Sequence, residues 1–148
     1  MLVLCRKVMA GFFIEHVNKS GSMEAFGVYK FNEAKNMASV RQPALAVVEI
    51  PERPGDAILD ALDVCEDIRE ASPACKIVLI CPEQEKISVE ACQKAKSRGI
   101  IDDYVFYDCS AEYLASKLES LLPPPGAVLP RTDDLLLSSY HKEANRRI

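Results

Sequence analysis

The sequence predicts an α/β domain: an open, doubly wound sheet of five parallel strands in the order 2-1-3-4-5, sandwiched between helices in three layers. Three observations lead there. Short apolar and β-branched runs alternate five times with segments of helical periodicity between Leu2 and Leu121, the pattern that calls for parallel strands joined by right-handed helical crossovers. Two of those runs, Ala44–Val48 and Ile77–Cys81, are continuously apolar, as strands covered on both faces must be. The chain has 148 residues, 49% hydrophobic and 27% charged, which suits one globular core built without metal or disulfide support.

Leu2-Val3-Leu4-Cys5 reads as the first strand, and Val8 to Val17 carries helical spacing through Phe12, Phe13 and Val17. Gly21 and Ser22 interrupt that pattern. Phe26 to Phe31 is rich in aromatic and β-branched residues and predicts a second strand, with Asn32 placed to cap the helix that starts at Glu33-Ala34-Lys35. Pro43 closes that helix ahead of the third strand, Ala44–Val48. Pro51, Pro54 and Gly55 make a loop, and Asp56 caps a helix whose Ile58, Leu62, Cys65 and Ile68, with Leu59, recur at three- and four-residue steps. Ser72-Pro73 ends it, and Lys76–Cys81 forms the fourth strand. Glu85 to Arg98 is a more polar helix stopped by Gly99. Tyr104-Val105-Phe106 is the fifth strand, starting near Ile101. Ser110 caps a last helix with Tyr113, Leu114, Leu118 and Leu121 on one face, which the prolines at 123–125 terminate.

Composition excludes several functions. A net charge of −4 lacks the positive excess that a nucleic-acid backbone requires, leaving only the basic end of the chain, Lys142, Arg146 and Arg147, as a point where a nucleic-acid-binding module could begin. The cysteines at 5, 65, 75, 81, 92 and 109 form no C-x-x-C pair and have no histidine at zinc-ligand spacing, so they read as reduced, mostly buried small hydrophobes in a cytoplasmic protein. Met1 to Cys5 is too short for a membrane span or a signal-peptide core, and Arg6 and Lys7 follow it instead of preceding it. No glycine-rich phosphate loop follows the first strand, which counts against a nucleotide cofactor. His16 and His141 have no nucleophile beside them and read as surface residues.

Reactive groups in such folds gather beyond the carboxyl ends of the strands. There the sequence resembles a known family. Ala46-Val47-Val48-Glu49-Ile50-Pro51 resembles the strand of response-regulator receiver domains that ends in the phosphorylated aspartate. Ile77–Cys81 and Asp102-Asp103-Tyr104-Val105-Phe106 resemble their fourth and fifth strands. The likeness spans about residues 1 to 122 and implies a flavodoxin-like, CheY-like fold and a role in two-component signalling.

At the positions where that family does its chemistry, this sequence differs. Cys5 and Arg6 stand in place of the acidic pair that holds Mg²⁺, and neither offers the oxygen ligands a hard cation needs. Glu49 takes the place of the phosphoacceptor aspartate, with a carboxylate one methylene further out. Cys81 replaces the switch hydroxyl, and Tyr107, followed by Asp108, replaces the lysine that pairs with the phosphoryl group. Tyr104 keeps the place of the aromatic switch residue. Since phosphoryl transfer relies on positioning and on cationic stabilisation, the resemblance implies a pseudo-receiver, not an enzyme, without metal or cofactor. Four alternatives stay open: an atypical receiver phosphorylated on Glu49 or a nearby residue; a Glu49 carboxylate that mimics a permanently charged acceptor and fixes one conformation, against which stands a simple Arg6–Glu49 ion pair; a thiol sensor formed by Cys81 and Cys109; and a flavodoxin-like small-molecule binder or enzyme. Asp102 and Asp103 precede the fifth strand, at the far end from Glu49.

Residues 123–132 have the composition of a semi-rigid proline-rich linker, and within 133–148 Asp133 or Asp134 caps a short helix carrying Leu135, Leu136, Leu137 and Tyr140. That tail reads as an amphipathic helix docking on its own domain or on a second copy, or as the start of an output domain, for its end faintly resembles the opening of a helix-turn-helix. A protein partner is expected, and the receiver resemblance implies a homodimer through helix 4, strand 5 and helix 5.

Overall fold

Five parallel strands line up by hydrogen bonding in the order β2-β1-β3-β4-β5, as the alternating sequence pattern requires. The computed structural model describes residues 2–4, 7–21, 23–50, 57–82 and 84–122. In chain order the elements are β1 (Leu2–Leu4), α1 (Lys7–Ser20), β2 (Phe26–Val28), a 3-10 turn (Phe31–Glu33), α2 (Ala34–Arg41), β3 (Leu45–Glu49), α3 (Ala57–Ala71), β4 (Lys76–Cys81), α4 (Lys86–Ser97), β5 (Asp103–Phe106) and α5 (Ala111–Leu121). The loop at Pro51, Pro54 and Gly55, the Asp56 cap, and all of 123–148 lie outside the described residues.

Side chains alternate across the sheet, and that alternation sorts the core into two layers. Ala46, Val48, Ile77 and Leu79 pack with α2, α3 and α4 through Ala34, Ala38, Ala61, Cys65, Ile68 and Cys92. Leu45, Val47, Val78, Ile80 and Val105 pack with α1 and α5 through Phe13, Val17, Leu114 and Leu118. All five residues of β3 are buried, the burial expected of a central parallel strand.

Several local expectations need correction. β2 spans Phe26–Val28, with Val28 in register with Leu4 of β1, and so is shorter than the expected Phe26–Phe31. Phe31 and Asn32 belong to the 3-10 turn, and Glu33, without a side-chain bond, holds the N-cap position expected of Asn32. Leu59 is exposed, because the buried stripe of α3 runs through Ala57, Ile58, Ala61, Val64, Cys65 and Ile68, with Leu62 only half-buried. Tyr113 points to solvent while Leu114 and Leu118 are buried. β5 begins at Asp103 and not at Ile101. His16 is half-buried.

Other signals hold. β4 spans Lys76–Cys81 as expected. Ser110 caps α5, its hydroxyl accepting from the Tyr113 backbone N–H at 3.0 Å, and Gly99 follows α4 at φ +78°, a backbone conformation that favours glycine. Ahead of Pro43, α2 ends through Gln42 in the left-handed region (φ 46°), whose side-chain amide donates to the Ser39 and Ala71 carbonyls at 3.0 and 2.8 Å and so joins the ends of α2 and α3.

Candidate functional site

Along the carboxyl edge of the sheet, the ladder runs one residue past the strands: Ile50 N–H donates to the Ile80 carbonyl at 3.0 Å and Tyr107 N–H to the Cys81 carbonyl at 3.3 Å. This places Glu49, Cys81 and Tyr107 at the ends of three adjacent strands, as the sequence implies. Their side chains do not all face the same way. Glu49 is only 4% exposed and has the strand parity of Leu45 and Val47, on the α1–α5 side. Cys81 belongs to the opposite layer, with α3 and α4.

Tyr107 packs against the α1–α5 layer, and its hydroxyl donates to the Ile50 carbonyl. With neighbouring strands about 4.8 Å apart, this bond runs from the end of β5 past β4 to the end of β3, a span that needs a long side chain. Where the receiver resemblance implies an ammonium group, the protein therefore has a neutral phenol already bonded to the backbone. Tyr104 is half-buried and meets Phe106 edge-on, with ring centroids 6.0 Å apart at 75°.

Cys81 is fully buried. Its thiol donates to the Pro82 carbonyl at 3.5 Å. The neighbouring Cys92 thiol of α4 holds the Cys81 thiol below its ordinary pKa, against burial, which raises it. Cys81 in turn pushes Cys92 up, and burial adds to the effect. Burial pushes Cys65 and Cys75 up to about 12. Cys109 is also raised, chiefly by burial, but it packs against the α1–α5 layer. The Cys81–Cys109 sensor is therefore not assembled: the sheet separates the two side chains. Cys92, with Ser88 and Ala95, marks the buried stripe of α4, in the layer that holds Cys81.

Asp102 and Asp103 work at the other end of β5. Asp102 accepts from Ile77 N–H at 2.8 Å and from Arg69 at 3.1 Å. Asp103 sits between Lys96 at 3.1 Å and Lys117 at 2.9 Å. Neither joins Glu49. Cys5 and Arg6, the acidic-pair positions, lie outside the described residues, so an Arg6–Glu49 pair is not described. Among the described residues no group of three or more His, Cys, Asp or Glu side chains forms a metal site, and no helix is long and apolar enough to cross a membrane.

No protein-family model matches the chain, and no curated protein matches it. Solved structures do. A two-component response regulator from Clostridium difficile matches with a TM-score of 0.65 at 19% identity, over 85% of this chain and 97% of that one. The signal receiver domain of a signal transduction histidine kinase from Syntrophus aciditrophicus gives 0.63 at 18%, over 88% and 95%. An adenylate cyclase structure from Rhodopirellula baltica gives 0.67 at 14%, over 97% and 93%. At such identities the likeness is one of fold, and the chain has the doubly wound, flavodoxin-like architecture of receiver domains.

Proposed function

We propose that this protein is a receiver-like regulatory domain of a two-component type system that works through protein contacts without being phosphorylated. The observation that carries this reading is the Tyr107 hydroxyl bonded to the Ile50 carbonyl, at the position of the phosphoryl-pairing lysine in receivers. A phenol supplies no positive charge to a phosphoryl group, and Cys5 and Arg6 supply no oxygen ligands to Mg²⁺. Glu49 keeps a carboxylate at the acceptor position but is nearly sealed from solvent. The chain is not an enzyme on this reading, and residues 1–122 form the regulatory unit, joined by a linker to the tail.

The partner is another protein, a following output domain or a second copy of this chain, and the surface offered to it is formed by α4, β5 and α5. Tyr113 on α5 is 53% exposed and lies beside Lys117, which reaches β5, giving that face a large aromatic group to bury.

Amide NMR spectra recorded during titration with Mg²⁺ and then beryllofluoride, an acyl-phosphate mimic, test the reading. The expected result is no saturable shift at Glu49, Cys81 or Tyr104. Saturable shifts at those residues would overturn it in favour of a working acceptor at Glu49.

A further inference from the structure

The helix α3 carries the carboxylates Asp60, Asp63, Glu66, Asp67 and Glu70 against a single guanidinium, Arg69. Arg69 is turned toward the amino edge of the sheet, where it donates to the Cys75 and Ile100 carbonyls at 3.0 and 3.2 Å and to Asp102 at 3.1 Å. The outward stripe of the helix is Leu59, Asp63, Glu66 and Glu70, all exposed. Steps of four, three and four residues place them on one face. Leu59 is 56% exposed, and Glu70 is bridged through Oε1 to Lys35 of α2 at 3.0 Å.

The same steps recur in the sequence of the tail, at Leu135, Ser139, Lys142 and Arg146. Laid parallel to α3, that stripe sets Leu135 against Leu59, Ser139 against Asp63, Lys142 against Glu66 and Arg146 against Glu70. Laid antiparallel, it sets Arg146 against Leu59 and Leu135 against Glu70, and the match is lost. We propose that residues 135–146 dock as a helix, parallel to α3, on this outward face of their own domain, with Leu135 covering Leu59 and with Lys142 and Arg146 on Glu66 and Glu70.

The directions of the helices are fixed by bonds at the amino edge of the sheet: Arg69, near the end of α3, meets Asp102, and Lys117, late in α5, meets Asp103. The chain therefore leaves α5 at the edge where α3 ends and has to climb to where α3 begins. Residues 123–134, rich in proline, span about 37 Å at about 3.1 Å per residue, against about 22 Å for the length of α3. Exposed ion pairs are individually weak, but a tether of this kind holds the segment at an effective concentration of about a millimolar, so the contact is a latch that salt opens. It uses α3, apart from the surface of α4, β5 and α5, and does not depend on whether Glu49 accepts a phosphoryl group.

The test is carbodiimide cross-linking of the full-length chain at low concentration, which condenses a lysine amine with a carboxylate in contact with it. Lys142 is the lysine of the tail. The expected tryptic product is peptide 132–146 joined to peptide 42–69, one water lighter than their sum, with fragmentation placing the bond at Glu66; trypsin leaves the Arg53–Pro54 bond intact. In a mixture of isotope-labelled and unlabelled protein, both halves of the product should carry the same label. The yield should fall in about 1 M salt, where the screening length is about 3 Å. In amide NMR spectra Lys142→Glu should shift the Leu59 and Glu70 signals, Lys142→Arg should leave them in place, and Glu66→Lys combined with Lys142→Glu should return them. Bonds from Lys142 only to carboxylates outside α3, a product only between differently labelled chains, no product, or Leu59 and Glu70 signals indifferent to Lys142→Glu would overturn the proposal.

Discussion

Tyr107 exerts its effect on the carboxyl edge through a single oxygen atom. Its hydroxyl joins the end of β5 to the residue that follows β3, so Tyr107→Phe keeps the ring in the α1–α5 layer and removes that bond. The expected loss is about 0.5–1.5 kcal/mol, read as a lower urea midpoint at unchanged slope. An unaltered midpoint would mean that the bond contributes nothing in solution. The position of Tyr107 was legible because a strand end can be counted from an apolar run. What its hydroxyl meets was not, since Ile50 is 57 residues away and becomes a neighbour only once β4 has been inserted between β3 and β5.

Asp103 braces three elements, receiving Lys96 from α4 and Lys117 from α5 at the first residue of β5. Burial pushes its carboxyl up, but the bonds from Lys117, the Tyr104 backbone N–H and Lys96 outweigh this and hold it below the usual 3.8. A folded value below the unfolded one means that the ionised group contributes stability in full above about pH 3.8, a contribution lost as pH falls through the depressed folded value. Asp103→Asn should therefore flatten the loss of stability below about pH 4 relative to wild type, as thermal melts at stepped pH would show. Parallel curves would mean that the brace carries no linkage.

Legibility at this scale followed the strength of the apolar pattern. Lys76–Cys81 is legible to the residue because its apolar run stands clear of the Ser72-Pro73 break before it, whereas Phe26–Phe31 overreaches β2, since aromatic residues carry on past Val28. Leu59 and Tyr113 were placed on buried faces because size was weighed above helical phase, and the structure buries the small Ala61 and Ala57 instead.

Over the whole molecule, both faces of the sheet are occupied by the protein's own helices, so a partner must be met at a helix surface or at the sheet's edges. On the α4–β5–α5 side, the Lys96–Asp103–Lys117 bridges join the elements into one surface, where Tyr113, its ring centroid 5.8 Å from the Lys117 ammonium, stands 53% exposed. A second copy offers the same group in return, which is what a two-fold interface requires. The charges nearest β5 are already paired within each chain, so apolar burial carries the association, and an aromatic side chain such as Tyr113 brings a large area to it. Sedimentation equilibrium should then return a mass approaching twice the 16.4 kDa of one chain as concentration rises. Tyr113→Glu, a change at an exposed site that leaves both core layers intact, should return the protein to a single-chain mass with an unchanged melting temperature at low concentration. A wild-type mass that stays at one chain throughout would remove the second copy as the occupant of this face and leave it to a different protein, to be sought with the same variant as the negative control.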